Sequence, residues 1–136
     1  MGSTSYKNIC PAGWHVPTDD DWTTIIQYID PTSRASTAGI QSTTAGGKLK
    51  STSTLWNSAS LTSLGTDNFG FTALPGGFRN TSGSFSSISY SAFFWSVAEC
   101  DYFGAWYRGL FFNVGYVDRF TYNFKSVGAS VRCIRN

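Results

Sequence analysis

Charge is scarce in this chain. Only 13% of its 136 residues are Asp, Glu, Lys or Arg, and the formal net charge is +2. Lys7, Lys48, Lys50 and Lys125 are scattered, which speaks against a phosphate-tracking groove and a nucleic-acid partner. Histidine occurs once, at His15. A single imidazole supplies neither a His-based zinc cluster nor a second general base, and nothing positions a Ser–His–Asp set around it. No catalytic group, metal or cofactor is expected. Apolar runs all fall well short of the ~20 residues that a membrane helix needs, so no membrane span is expected. No signal peptide is visible. Met1-Gly2-Ser3 reads as an expression remnant, and a natural leader is expected outside this sequence.

Cysteine is also sparse, with three residues. Cys10 and Cys133 lie near the two ends. A bridge between them would close almost the whole chain into a loop and add about 3–5 kcal/mol. Two buried free thiols are the alternative. Cys100 is then unpaired, which in an exported protein needs an explanation.

Ser, Thr and Gly fill the space left by charge, and aromatic residues make up 17% of the chain. Ten of the 23 residues from Tyr102 to Phe124 are aromatic, too many for one short segment to bury. Exposed aromatic patches usually mark contact with a ligand.

The pattern predicts one α+β domain over residues 1–136, with few helices and many short strands. Thr18 before Asp19-Asp20-Asp21 is an N-cap signal, and the apolar spacing of Trp22, Ile25, Ile26 and Ile29 predicts a helix over 19–29. The three aspartates suit the positive end of that helix better than a metal site. Residues 32–46 read as a loop or as the start of a weak second helix. Strands are expected near Ile9–Pro17, Thr72–Asn80, Ala92–Ser96 and Ala129–Arg135, with a turn at Gly83-Ser84-Phe85. Within the aromatic segment, Trp106, Arg108, Leu110 and Phe112 alternate with Tyr107, Gly109 and Phe111. Asn113-Val114-Gly115 is a hairpin turn. Beyond it, Val117 and Arg119 alternate with Tyr116, Asp118, Phe120 and Tyr122. Trp14, Trp22, Phe69, Phe71, Trp95 and Trp106 are expected in the core, and His15 is expected to be a hydrogen-bonded structural residue.

Five stretches occur in order: Cys10-Pro-Ala-Gly-Trp-His-Val-Pro-Thr18, Ala45-Gly-Gly-Lys-Leu-Lys50, Thr66 to Asn80, Phe94-Trp-Ser96 with Glu99, and Ser130-Val-Arg-Cys-Ile-Arg135. Together they resemble the major paralogous domain first noted in Fibrobacter and common in secreted or lipid-anchored Bacteroidetes proteins. The resemblance implies a C-type lectin-like fold of the formylglycine-generating-enzyme-like branch: two helices beside a small twisted antiparallel sheet, with long irregular loops and the termini close together. A Cys10–Cys133 bridge fits that geometry. Neither the Glu-Pro-Asn or Gln-Pro-Asp calcium signature of sugar-binding lectins nor a paired reactive-cysteine site is present.

Residues 94–135 also resemble the variable region of diversity-generating retroelement target proteins. The matching skeleton is Ala105-Trp106, Arg108, Leu110, Gly115, Val117, Arg119, Lys125-Ser126, Gly128 and Ser130-Val131-Arg132-Cys133. Such systems mutate adenines, mostly in Asn codons, from which Lys, Glu, Gln, Met and Trp are unreachable. Between Cys100 and Ala129 only Trp106 and Lys125 fall outside the reachable set, and both are skeleton positions. Cys100 would then be a randomised position. The resemblance implies a display protein, at the cell surface, extracellular or phage-borne, with its variable region at about 94–129. Its partner would be a macromolecule, either a surface protein or a glycan. The ligand-binding set it implies is Tyr102, Phe103, Tyr107, Gly109, Phe111, Phe112, Val114, Tyr116, Asp118, Phe120, Tyr122 and Phe124. Tyr and Phe suit that role because they give large contact area at low entropic cost. Two other readings remain: a non-diversified surface module with an adhesive or structural role, and a degenerate enzyme of the formylglycine-generating branch.

Overall fold

A capping box sets the first helix. Thr18 Oγ1 accepts the Asp21 N–H at 3.1 Å, and the Asp21 carboxylate accepts the Thr18 N–H at 2.8 Å. Two backbone donors that the helix cannot satisfy are thereby paired. The computed structural model describes residues 9–34, 38–58, 64–122 and 125–136, and of Tyr122 the backbone only. In chain order the elements are β1 (Trp14–His15), α1 (Asp19–Ile29), β2 (Gly39–Ser42), α2 (Ala45–Leu49), β3 (Phe78–Arg79), β4 (Phe85–Ser86), β5 (Ser91–Glu99), β6 (Ala105–Phe111), β7 (Val117–Tyr122) and β8 (Ile134–Arg135).

Four of these strands form one antiparallel sheet in the order β2-β7-β6-β5. Two further sheets are two-stranded, β1 with β8 and β3 with β4. The α+β expectation holds, with two helices among the described residues. Trp22, Ile26 and Ile29 turn one stripe of α1 inward, where Leu49, Phe71, Phe94, Leu110 and Val117 complete the core. Trp22 meets Phe71 and Phe94 at ring-centroid distances of 5.9 and 5.6 Å, and its Nε1 donates to the Trp95 carbonyl at 3.3 Å. α1 stops at Asp30, whose extended backbone suits the residue before Pro31.

The short helix α2 seats the β6–β7 turn. The Gly46 N–H donates to Gly115 O at 2.9 Å, and a Cβ at Gly46 would lie 2.0 Å from Tyr116 O. Only glycine admits that approach. Lys50 grips the same turn: its Nζ donates to Phe111 O at 2.9 Å and Val114 O at 3.0 Å, and burial lowers its pKa to about 8.

Cys10 and Cys133 are bridged, with Cα atoms 5.8 Å apart, beside the β1–β8 pair that joins the two ends of the chain. Of the two alternatives, the disulfide is the one present. Several expectations need correction. Residues 39–42 form a strand that local patterning did not reveal, because β2 owes its conformation to pairing with β7. The C-terminal strand is only Ile134–Arg135. Gly83 lies at a bend that Ser84 closes, its carbonyl accepting the Asn80 N–H at 2.9 Å, but Phe85 begins β4. Trp22 and Phe71 are in the core as expected, whereas Trp14 and Phe69 are exposed. Phe69 rests edge-on against Tyr28 at the surface. Trp95 and Trp106 are half-buried and lie outside the core cluster.

Candidate functional site

The period of two in β6 and β7 places two residue sets on opposite sides of the sheet. Pairing brings Arg108 opposite Arg119, Tyr107 opposite Phe120, Gly109 opposite Asp118 and Trp106 opposite Thr121. On β5, Phe94 pairs with Arg108, while Trp95 and Phe93 pair with Tyr107 and Gly109.

The side toward the helices carries the skeleton. Leu110 and Val117 enter the core. Arg108 is almost fully buried and answered on every side: Nη1 donates to Asp19 Oδ1 at 2.7 Å, Nε to Gln41 Oε1 at 2.7 Å, and Nη2 to Asp19 O and Thr23 Oγ1, each at 3.2 Å. Arg119 donates to Asp19 Oδ2 at 2.8 Å, and its guanidinium lies 3.4 Å over the Trp106 ring. Burial pushes the Asp19 carboxyl up, but hydrogen bonds from Arg119 and Arg108, with their charges, hold it below the usual carboxylate value. The aspartates at 19 and 21 thus start and anchor a helix, as the sequence predicts. His15 is hydrogen-bonded as expected, with Nδ1 2.6 Å from Asn136 Oδ1 and Nε2 3.3 Å from Asp21 Oδ2.

The outer side carries an aromatic layer. Phe93 meets Tyr107, Phe111 and Phe78 edge-on at 5.5, 5.9 and 5.7 Å. Tyr107 also meets Trp95 and Phe120, each at 5.9 Å. Phe111, Tyr116 and Phe120 are half-buried. Tyr107 is a correction: expected on the surface, it is only 7% exposed, because the rings of Phe93, Trp95 and Phe120 surround it. It is nevertheless outside the main core cluster. Gly109 is buried, and a Cβ there would lie 3.2 Å from the rings of Phe111 and Phe93. Asp118 is 9% exposed, and burial pushes its carboxyl up.

The other expected binding residues sit apart. Tyr102 and Phe103 are 84% and 63% exposed and pack edge-on at 4.9 Å. Their turn is held from within, since Asp101 Oδ1 accepts the N–H groups of Phe103 and Gly104 at 2.8 and 2.7 Å. Lys125 braces it from outside, donating to Tyr102 O at 3.0 Å and pairing with Glu99 at 2.8 Å. Phe112 packs against the core and meets Tyr90 at 5.2 Å, so it belongs with the scaffold. Val114 is half-buried and serves through its carbonyl, on Lys50. The Tyr122 backbone pairs with Ala105; Phe124 lies outside the described residues. Cys100 is a half-buried free thiol.

Phe93, Trp95 and Phe78 were missed as members of the outer layer. Alternation within Ala92–Ser96 was the available signal, since it places Phe93 and Trp95 opposite Phe94. A separate apolar cleft of about 380 Å³ lies beside α1, lined by Ile25, Tyr28, Phe71 and Ile134 among others.

None of the curated proteins and none of the solved structures matches the chain. The Fibrobacter succinogenes major domain nonetheless matches residues 2–135, and the chain belongs to that family.

Proposed function

We propose that this protein is a non-enzymatic display protein of C-type lectin-like fold. Its region at about 94–129 is diversified by a retroelement and binds a macromolecule at or outside a cell surface, whether the protein is lipid-anchored or phage-borne. The observation that carries the reading is the division of β6 and β7. The skeleton residues Arg108, Leu110, Val117 and Arg119 face the helices, and the intervening residues Phe111, Asp118 and Phe120 lie on the other side. A surface can be rewritten without unfolding the protein only if its residues stay out of the core, because most random core changes destabilise. The Tyr102–Phe103 turn adds an exposed apolar pair braced by the Asp101 carboxylate, which accepts backbone N–H groups.

The burial of Tyr107 favours a second reading, in which the same outer layer belongs to a non-diversified adhesive or structural module. Sequencing the genomic locus separates the two. A nearby repeat of the codons for 94–129 that differs at adenines, beside a reverse-transcriptase gene, supports diversification. A locus with neither overturns it.

A further inference from the structure

Asp118 is the chemically incomplete residue of the outer face. The residue is 9% exposed, and its Oδ1 is fully buried with no hydrogen-bond partner among the described residues. An unanswered buried acceptor of this kind costs about 1–3 kcal/mol, and more when charged. Other aspartates of the chain are answered: Asp19 by two arginines, Asp21 by Thr18, and Asp30 by Ser42 and Thr32. A buried acceptor left open on this face is a place for a donor from outside the chain.

The register defines what surrounds it. Gly109 on β6 and Ile40 on β2 stand directly opposite Asp118. Tyr116 and Phe120 lie two residues away along the chain, and Tyr107 and Phe111 flank Gly109 at the diagonal positions, within reach of long side chains. A Cβ at Gly109 would lie 3.2 Å from the Phe111 and Phe93 rings, so these rings fill the space that a side chain opposite Asp118 would take. Aromatic faces attract cations, and a carboxylate among them adds a full opposite charge. Anions are repelled by the same arrangement, and a neutral hydroxyl gains nothing from the rings' electrostatics. The protein already builds such a clamp internally: the Arg119 guanidinium lies 3.4 Å over Trp106 and 2.8 Å from Asp19.

We propose that the outer face takes a cationic side chain, the guanidinium or ammonium of an Arg or Lys on a protein ligand, with Asp118 as counter-ion and Phe111, Tyr116 and Phe120 as walls. The proposal rests on reading this face as the binding surface, and it narrows the ligand from any macromolecule to a basic protein segment.

Amide chemical shifts of the ¹⁵N-labelled full chain test it. The probes are acetyl-Gly-Arg-Gly-amide, its Lys counterpart, its citrulline counterpart (the same shape without charge) and glucosamine, all at matched ionic strength. Saturable shifts at Gly109, Asp118 and Phe120 are expected with the Arg or Lys peptide, at least tenfold weaker with citrulline. Asp118→Asn is expected to weaken Arg-peptide binding at least tenfold without lowering the melting temperature. Equal response to the Arg and citrulline peptides, shifts confined to other residues, or unchanged binding by a folded Asp118→Asn protein would overturn the proposal. Preference for glucosamine over both peptides would overturn the protein assignment. If Asp118→Asn does not fold, the Arg–citrulline comparison on the unmodified chain decides. A locus carrying the adenine-variable repeat, with no response to the Arg peptide, overturns this inference alone. A response without such a repeat overturns only the diversification.

Discussion

Arg108 Nη1 lies 2.7 Å from Asp19 Oδ1, and this contact bonds an inner strand of the main sheet to the first turn of α1. Arg119 reaches the same carboxylate, so one aspartate answers two buried guanidinium groups. Removing one partner of a buried ion pair leaves charge without compensation, at about 3–5 kcal/mol. Asp19→Asn is expected to lower unfolding free energy by about that much in urea titrations. Asp20→Asn, at the exposed neighbour in the same helix turn, is expected to cost less than about 1 kcal/mol. Equal effects would show that carboxylates at the positive end of the helix matter and the arginine pairing does not.

Acid should weaken the fold from a defined point. Burial raises the carboxyls of Asp19 and Asp21, but hydrogen bonds from Arg119 and Arg108 to one, and from Thr18 to the other, bring both below 3.8. Ser42 and Thr32 do the same for Asp30. Each group binds protons more weakly in the folded state, so its stabilisation is present above 3.8 and is lost as pH falls through the lower folded value. Asp118 has the opposite sign. Its carboxyl is raised by burial, so its contribution is full below 3.8 and is lost as pH rises through the folded value. Asp118→Asn is therefore expected to be more stable than the parent at pH 7, with the gap narrowing toward pH 3.5. Urea titrations at both pH values check this, and a constant gap would contradict it.

The Cys10–Cys133 bridge spans a sequence separation of 123 residues. A loop of that size restricts the unfolded chain strongly, worth about 3–5 kcal/mol. The double Cys→Ser variant at these positions is expected to lose that amount in urea unfolding. Treating the parent with reductant is expected to reproduce the loss.

Substitution tolerance should follow the two sides of the sheet. Tyr116→Ser and Phe120→Ser, at half-buried outer positions, are expected to cost about 1 kcal/mol or less. Leu110→Ala, in the core, is expected to cost about 2–5 kcal/mol. Tyr107→Ser separates the two readings of the face. Its burial among Phe93, Trp95 and Phe120 leads us to expect a cost of about 3 kcal/mol. A cost near zero would mark Tyr107 as freely variable.

Local signals were legible where a single element contains its own cause. The Thr18 cap and apolar spacing located α1 to the residue, and alternation located β6 and β7 and divided their side chains into two sets. β2 was not legible, because Gly39–Ser42 is a strand only by pairing with β7. The same holds for burial: Trp14 and Trp22 are the same residue type, yet one is exposed in a two-stranded pair and the other lies under the sheet.

By itself the sequence determined the family, the α+β class, the first helix and the period-two division of the aromatic segment. Each depends on spacing along the chain, which sequence records directly. Tertiary structure alone decided that Cys10 and Cys133 meet, that Asp19 serves two arginines, that Tyr107 is enclosed and that Asp118 Oδ1 has no partner among the described residues. Those outcomes depend on which distant residues arrive at one place, and pairing across strands settles that only once the chain has folded.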